Sequence, residues 1–373
     1  MGRPAVKRDA MLLVDALRHP ESTASLDARG WTDLLTMARA EQLIGTLAAR
    51  LKFESVPSNV AEILAEAQIN AEYQRRSALW EADCARRALA GYHGKVVLLK
   101  GTAYAAAGLL AGDGRSIGDL DIMVAREDLP QVEALLLDKG GWEWVKEDAY
   151  DDAYYRDHMH ELPPMIHKER DRMIDVHHTI LPLTARPTPD AAGMLDCAVA
   201  LPLPEQFEHP DDDLDYRYPL PTPFQPGKTY ILSPHDILCH CAAHLIADGD
   251  LTGGLRNLWD FHCIANEMQN RTSGKYWHDI YAAPGCGHLY ASVMRAARLS
   301  HHLYGTHVYP KQQRLAFTDY LFIHRLTARD GWGRPTRKWL RLIFYIRSHL
   351  LRMPPLMLAR HLWVKWRKGQ PSR

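Results

Sequence analysis

Asp119 and Asp121 lie two residues apart where the chain enters an apolar run, Leu120-Asp121-Ile122-Met123-Val124. Residues two apart on a strand face the same side. Two carboxylates on one face repel each other unless a cation lies between them. Hard divalent cations such as Mg²⁺ take carboxylate oxygens as ligands. A third aspartate, Asp175, is the centre of a second strand-like run, Met173-Ile174-Asp175-Val176-His177. His177 falls on the Asp175 face of such a strand and His178 on the opposite face. Upstream, the apolar run Val96-Val97-Leu98-Leu99 ends in Lys100-Gly101-Thr102, and an Ala-rich segment leads on to Arg115.

These elements together resemble the nucleotidyltransferase superfamily of the DNA polymerase β type. They are more closely similar to the bacterial uncharacterised nucleotidyltransferase family. The residues that carry the resemblance are Leu99-Lys100-Gly101, Arg115, Asp119, Asp121, and Asp175 with His177. Trp31 to Leu51 is similar to the family's N-terminal helical segment, and His244, Arg256 and Asp260 to its later one. The resemblance spans most of the chain, but only the core motif is specific.

The resemblance implies transfer of a nucleoside monophosphate from an NTP, with ATP as the first guess, to an acceptor hydroxyl. Two Mg²⁺ ions, or Mn²⁺ in their place, would clamp the attacking and leaving oxygens. Asp119, Asp121 and Asp175 would hold the metal. Asp175 could also take the acceptor proton. Lys100, Gly101, Thr102, Arg115, Gly118 and His177 form the expected nucleotide-binding set. The first turn of a helix after Gly101-Thr102 would favour phosphate, and Lys100 and Arg115 would make charge-assisted contacts to it. His177 could tune Asp175, touch phosphate or bind metal, or serve as a hydrogen-bonded histidine. The chain departs from the broader superfamily in having Gly101-Thr102 for Gly-Ser. Its separation between Gly101 and Asp119 is also long. Both departures bear on the nucleotide pose more than on the carboxylates.

The elements that must position these residues read as an α+β fold, a small mixed sheet flanked by helical regions. Residues 1–93 carry helical apolar spacing at Leu34, Leu35, Ala38, Leu43, Leu47 and Leu51, then a long Ala-, Glu- and Arg-rich helix from Pro57. Residues 94–182 form the nucleotidyltransferase core. Strands are expected at 96–100, 120–125, 142–146, 163–168 and 172–179, with helices at 102–112 and 127–139. Glu169-Arg170-Asp171-Arg172 would turn the last two strands into a hairpin. Residues 183–230 are Pro-rich and acidic and read as an insertion. Ser233-Pro234 starts a helical domain over 231–330, with Ser as N-cap and Pro as first helical residue. Residues 331–373 read as basic amphipathic helices broken at Pro354-Pro355.

Lys and Arg balance Asp and Glu at 45 each, so net charge points to no partner. The distribution does. An acidic stretch includes Asp211, Asp212, Asp213 and Asp215, while no acidic residue follows Asp330. The basic C-terminus could meet RNA, an acidic peptide or an anionic surface. The favoured reading is packing on the body with a partly exposed basic face. The family resemblance implies a small-molecule or peptide acceptor first, with RNA, met by the basic C-terminus, second. No apolar run of about 18 residues suggests a membrane span. The N-terminus lacks a secretory pattern, and six scattered cysteines fit free thiols in the cytoplasm. Cys239, His240, Cys241, His244 and Cys263 lack the paired spacing of structural zinc sites. Arg256 and Asp260, four apart, are read first as a helix salt bridge. Two other functions stay open: a catalytically silent nucleotide-binding protein, and a phosphotransferase using the same carboxylates.

Overall fold

The computed structural model describes residues 9–146, 148–201, 229–271, 276–309, 313–359 and 363. Its architecture is α+β: a seven-stranded mixed sheet flanked by helices. Sheet order is β3-β4-β5-β2-β1-β7-β6. The strands are β1 (Val96–Leu98), β2 (Leu120–Met123), β3 (Trp142–Trp144), β4 (Met165–His167), β5 (Met173–His177), β6 (Val199–Ala200) and β7 (Thr229–Ile231). The central strand β2 runs antiparallel to β1 and parallel to β5. Ile122, Ile174 and Val176 are wholly buried, so one face of β2 and β5 is sealed in the core.

The hairpin β4–β5 forms as expected, with Asp171 in the left-handed region at φ 53° where Asp is tolerated. The expected strands are shorter in fact, and two boundaries move for a reason. Lys100 does not end a strand. It opens α5 (Lys100–Ala106) with φ 48°, so the turn falls before Gly101-Thr102 and both lie in the first helical turn. The stretch at 110–112 is a separate 3₁₀ turn. The segment read as an insertion also contributes to the sheet. β7 pairs in parallel with β1, and β6 lies outside it. Residues 202–228, with most of the acidic stretch, lie outside the described residues.

Helices wall the sheet. The longest, α4 (Ser58–Ala88), packs against α3 (Ile44–Arg50), α5, α6 (Leu129–Asp138) and β2. Its Glu81 accepts two hydrogen bonds from Arg170 of the β4–β5 turn, at 2.8 and 3.0 Å. On the C-terminal side, α9 (Pro234–Ala242) starts as its sequence dictates, with Ser233 Oγ accepting from Asp236 N–H. A π-helical segment, Ala243–Asp248, continues it, and α10 (Gly254–Arg271) and α12 (Tyr290–Tyr304) pack on this pair. The N-terminal helical region is tied to the segment after residue 328. Glu41 accepts from Arg329 at 2.7 Å, and Thr36 donates to the Gly331 carbonyl.

The helix Lys338–Arg352 buries only the row Leu340, Phe344, Ser348. It exposes Trp339, Leu342, Ile343 and Ile346 along with Lys338 and Arg341, while Arg347 is half-buried and donates to the Ile246 carbonyl at 2.6 Å. The helix packs on the body, and its outward face is apolar as well as basic. The helix stops before Pro354, and 355–359 is helical again.

Candidate active site

Register brings the central residues together. Asp121 on β2 and Asp175 on β5 are direct cross-strand partners. Asp119 precedes β2 by one residue at the open end. Oxygens from Asp119, Asp121 and Asp175 all lie within 4.8 Å of one another. Asp119 is exposed, Asp175 half-buried and Asp121 buried, so the group opens toward solvent on the Asp119 side.

The electrostatics of the two strand carboxylates differ sharply. Burial alone would raise Asp121. Lys100 Nζ at 2.6 Å and His177 Nε2 at 3.0 Å, both on Asp121 Oδ1, outweigh it and hold the carboxyl well below its ordinary range. Asp175 has no such cation. Burial first, then repulsion from Glu161 and Asp121, pushes its pKa up to about 7. Lys100 is itself half-buried, and the lost hydration lowers it. Asp121 and, more weakly, Asp119 and Glu161 more than compensate, so it stays charged.

Lys100 reaches this position because its left-handed backbone turns the chain from β1 into α5. Gly101 follows for a steric reason: a Cβ there would overlap Arg115 Nη1. Arg115 is delivered by Gly114, at φ 65° and pressed against the Gly45 backbone of α3. Its guanidinium is buried. Nε donates to Asp260 Oδ2 at 3.0 Å, and the group lies 5.4 Å from the Tyr104 ring centre. Asp260 thus pairs with Arg115. Arg256 donates instead to Gln42 Oε1 at 2.6 Å, which corrects the expected i,i+4 pair. Thr102 is buried and its Oγ1 has no hydrogen-bond partner. Gly118 lies exposed at the rim, its carbonyl accepting from Arg172.

A cavity of about 30 Å³ opens beside Lys100. Arg115, Arg256, His240, His244 and Asp260 are among its lining residues. Burial, with Lys100 nearby, drops His240 well below the usual histidine range and brings His244 down to about 3. The lining therefore carries three cations against one carboxylate. That charge balance suits an anion.

A family model described as "Uncharacterised nucleotidyltransferase" matches residues 27–305. The chain belongs to that family. It is accordingly an enzyme of nucleotidyl transfer, and that class of reaction implies an NTP substrate. No curated protein and no solved structure matches it. No helix among the described residues is long and apolar enough to cross a membrane.

The nucleotidyltransferase carries two residues at this site that sequence reasoning missed, His160 and Glu161. They follow α7 (Ala149–His158), a helix that was also missed. Glu161 forms an isolated antiparallel bridge with His177. A one-residue bridge leaves no periodicity to read. With Glu161 included, the site gathers four carboxylates around one lysine.

Proposed function

We propose that this chain transfers a nucleoside monophosphate from an NTP to an acceptor hydroxyl in a Mg²⁺-dependent reaction. The observation that carries the reading is the register of β2 and β5, which sets Asp121 against Asp175 with Asp119 within 4.8 Å. The donor set fits a hard divalent cation. It is all oxygen, and such a cation would offset both the burial and the repulsion that lift Asp175 to about 7. Asp119, Asp121 and Asp175 would hold the metal, which supplies charge neutralisation at the reacting phosphate.

The remaining roles fall to the chain's own residues. Lys100, leaving Asp121 when the carboxylates gain their cation, would turn its ammonium to the triphosphate. The cavity lined by Arg115 and Arg256 would extend that attraction inward. Asp175, the third carboxylate of the group, would also take the acceptor proton. His177 would hold Asp121 in orientation through Nε2. ATP is the first nucleotide to try, and a small molecule or peptide the first acceptor class.

The test uses α-labelled and γ-labelled NTPs with a cell extract as acceptor pool, wild type beside the Asp119→Ala/Asp121→Ala double variant. Transfer of α-label with pyrophosphate release, lost in the variant, is expected. Transfer of γ-label alone would replace this reading with a phosphotransferase. Label on RNA would shift the acceptor class. No metal-dependent turnover would overturn the reading.

A further inference from the structure

Behind the three aspartates lies a second cluster of different chemistry. His160, Glu161 and His177 each place one donor atom within 4.8 Å of the others. Two imidazoles and one carboxylate are a mixed nitrogen and oxygen set, unlike the all-oxygen set next to it. Hard Mg²⁺ prefers the second, and borderline ions such as Zn²⁺ the first.

The hydrogen bonds of His177 argue for a cation here. Its side chain is 1% exposed. Nε2 lies 3.0 Å from the ionised Asp121 carboxylate, an acceptor-only group, so the proton belongs on Nε2. In the neutral ring Nδ1 then carries a lone pair. Nδ1 is buried with no hydrogen-bond partner, yet it lies 3.5 Å from Glu161 Oε2. A lone pair facing a carboxylate is unfavourable unless a proton or a metal ion lies between them. His160 repeats the pattern: Nδ1 is buried and unpartnered, while Nε2 lies 3.6 Å from Glu161 Oε2. Burial, the largest cause, holds His160 well below the usual histidine range and so neutral, the state in which imidazole binds metal.

The backbone presents these groups rigidly. His178 N–H donates to the His160 carbonyl at 2.9 Å, and Leu162 N–H to Val176 O at 2.9 Å. Both bonds fasten the 160–162 segment to β5. The arrangement Asp121–His177–site also has the form of a carboxylate–histidine–metal relay, in which the outer carboxylate fixes the tautomer of a ligating histidine.

We infer that His160, Glu161 and His177 form a second metal site, for a borderline divalent ion of the Zn²⁺ class, joined to the aspartate group through His177. An ion there would lock His177 with Nε2–H on Asp121, and so fix one carboxylate of the neighbouring group.

The test titrates Co²⁺ as a spectroscopic stand-in into chelator-stripped full-length protein, in excess Mg²⁺ and without nucleotide. Zn²⁺ competition and metal analysis of the purified protein accompany it. Visible bands of a nitrogen-ligated low-coordinate Co²⁺, displaced by Zn²⁺, are expected. His160→Ala and the more conservative His160→Gln should each weaken binding by about 100-fold or more, and Asp121→Asn by about 10–100-fold through the outer carboxylate. Asp119→Ala should leave it unchanged. Thermal melts of each variant separate lost binding from lost folding. Co²⁺ that competes with Mg²⁺ and vanishes in Asp119→Ala but not in the His160 variants would overturn the inference, as would no binding at all. Because nucleotide is absent, neither outcome depends on nucleotidyl transfer.

Discussion

The Asp175→Asn substitution separates the electrostatic account of the site from a purely structural one. Wild-type Asp175 has its pKa raised from 3.8 to about 7, first by burial and then by Glu161 and Asp121. At about 1.4 kcal/mol for each tenfold change in proton affinity, that displacement is worth roughly 4 kcal/mol. The sign follows from which state releases the proton first. The unfolded chain ionises near 3.8 and the folded chain only near 7. Across that window the folded state holds the extra proton, so its stability falls as pH rises. In chelator, wild type should be less stable at pH 8 than at pH 5 by a few kcal/mol from this group. Asp175→Asn removes the charge and keeps the shape. It should stabilise the metal-free protein at pH 8 by up to about 4 kcal/mol and have little effect near pH 4. Mg²⁺ should close most of this gap, since a ligand at 100 times its Kd adds about 2.7 kcal/mol, and at 1,000 times about 4.1 kcal/mol, to the protein that binds it. Urea denaturation at the two pH values, with and without Mg²⁺, reads all of this. An asparagine variant no more stable than wild type at pH 8 in chelator would refute the reasoning. So would a gain that is the same at both pH values.

Further outcomes follow from neighbouring contacts. Lys100→Met removes the nearer cation from Asp121, so acid unfolding, monitored by circular dichroism, should begin at higher pH, and KM for NTP should rise. Arg115→Ala leaves Asp260 buried without its partner, a loss of about 3–5 kcal/mol that a double cycle with Asp260→Asn should largely cancel in thermal melts. Gly101→Ala forces a methyl into Arg115 and should cost about 1–3 kcal/mol of stability by overpacking, measured by the same melts.

The legible parts of this fold were those with a local period. Residues two apart on a strand share a face, so the aspartates could be placed on a face from the sequence alone. Ser233-Pro234 and Pro354-Pro355 act through cap and backbone chemistry that needs no partner. What escaped is non-local or aperiodic. Helix α7 buries no residue, so no apolar stripe marks it. β7 has three residues and gains its place by pairing with β1, more than a hundred residues earlier, and with the two-residue β6. Arg115 and Asp260 are 145 residues apart, and nothing near either signals the other. Arg256 offered Asp260 a closer partner in sequence, but the fold gave Asp260 to Arg115. His160 and Glu161 depended on a single bridge to His177.

The pairing of β2 with β5 also acts as a proofreading device. Ile174 and Val176, flanking Asp175, are fully buried, as is Ile122 beside Asp121. A slip of one residue would turn every side chain of β5 to the opposite face. It would push Asp175 into oil and two large aliphatics into the acidic cleft. The misaligned chain could not close its core. Correct spacing of the aspartates is thus inspected by hydrophobic packing before any nucleotide arrives, and a molecule that has folded has already passed that check.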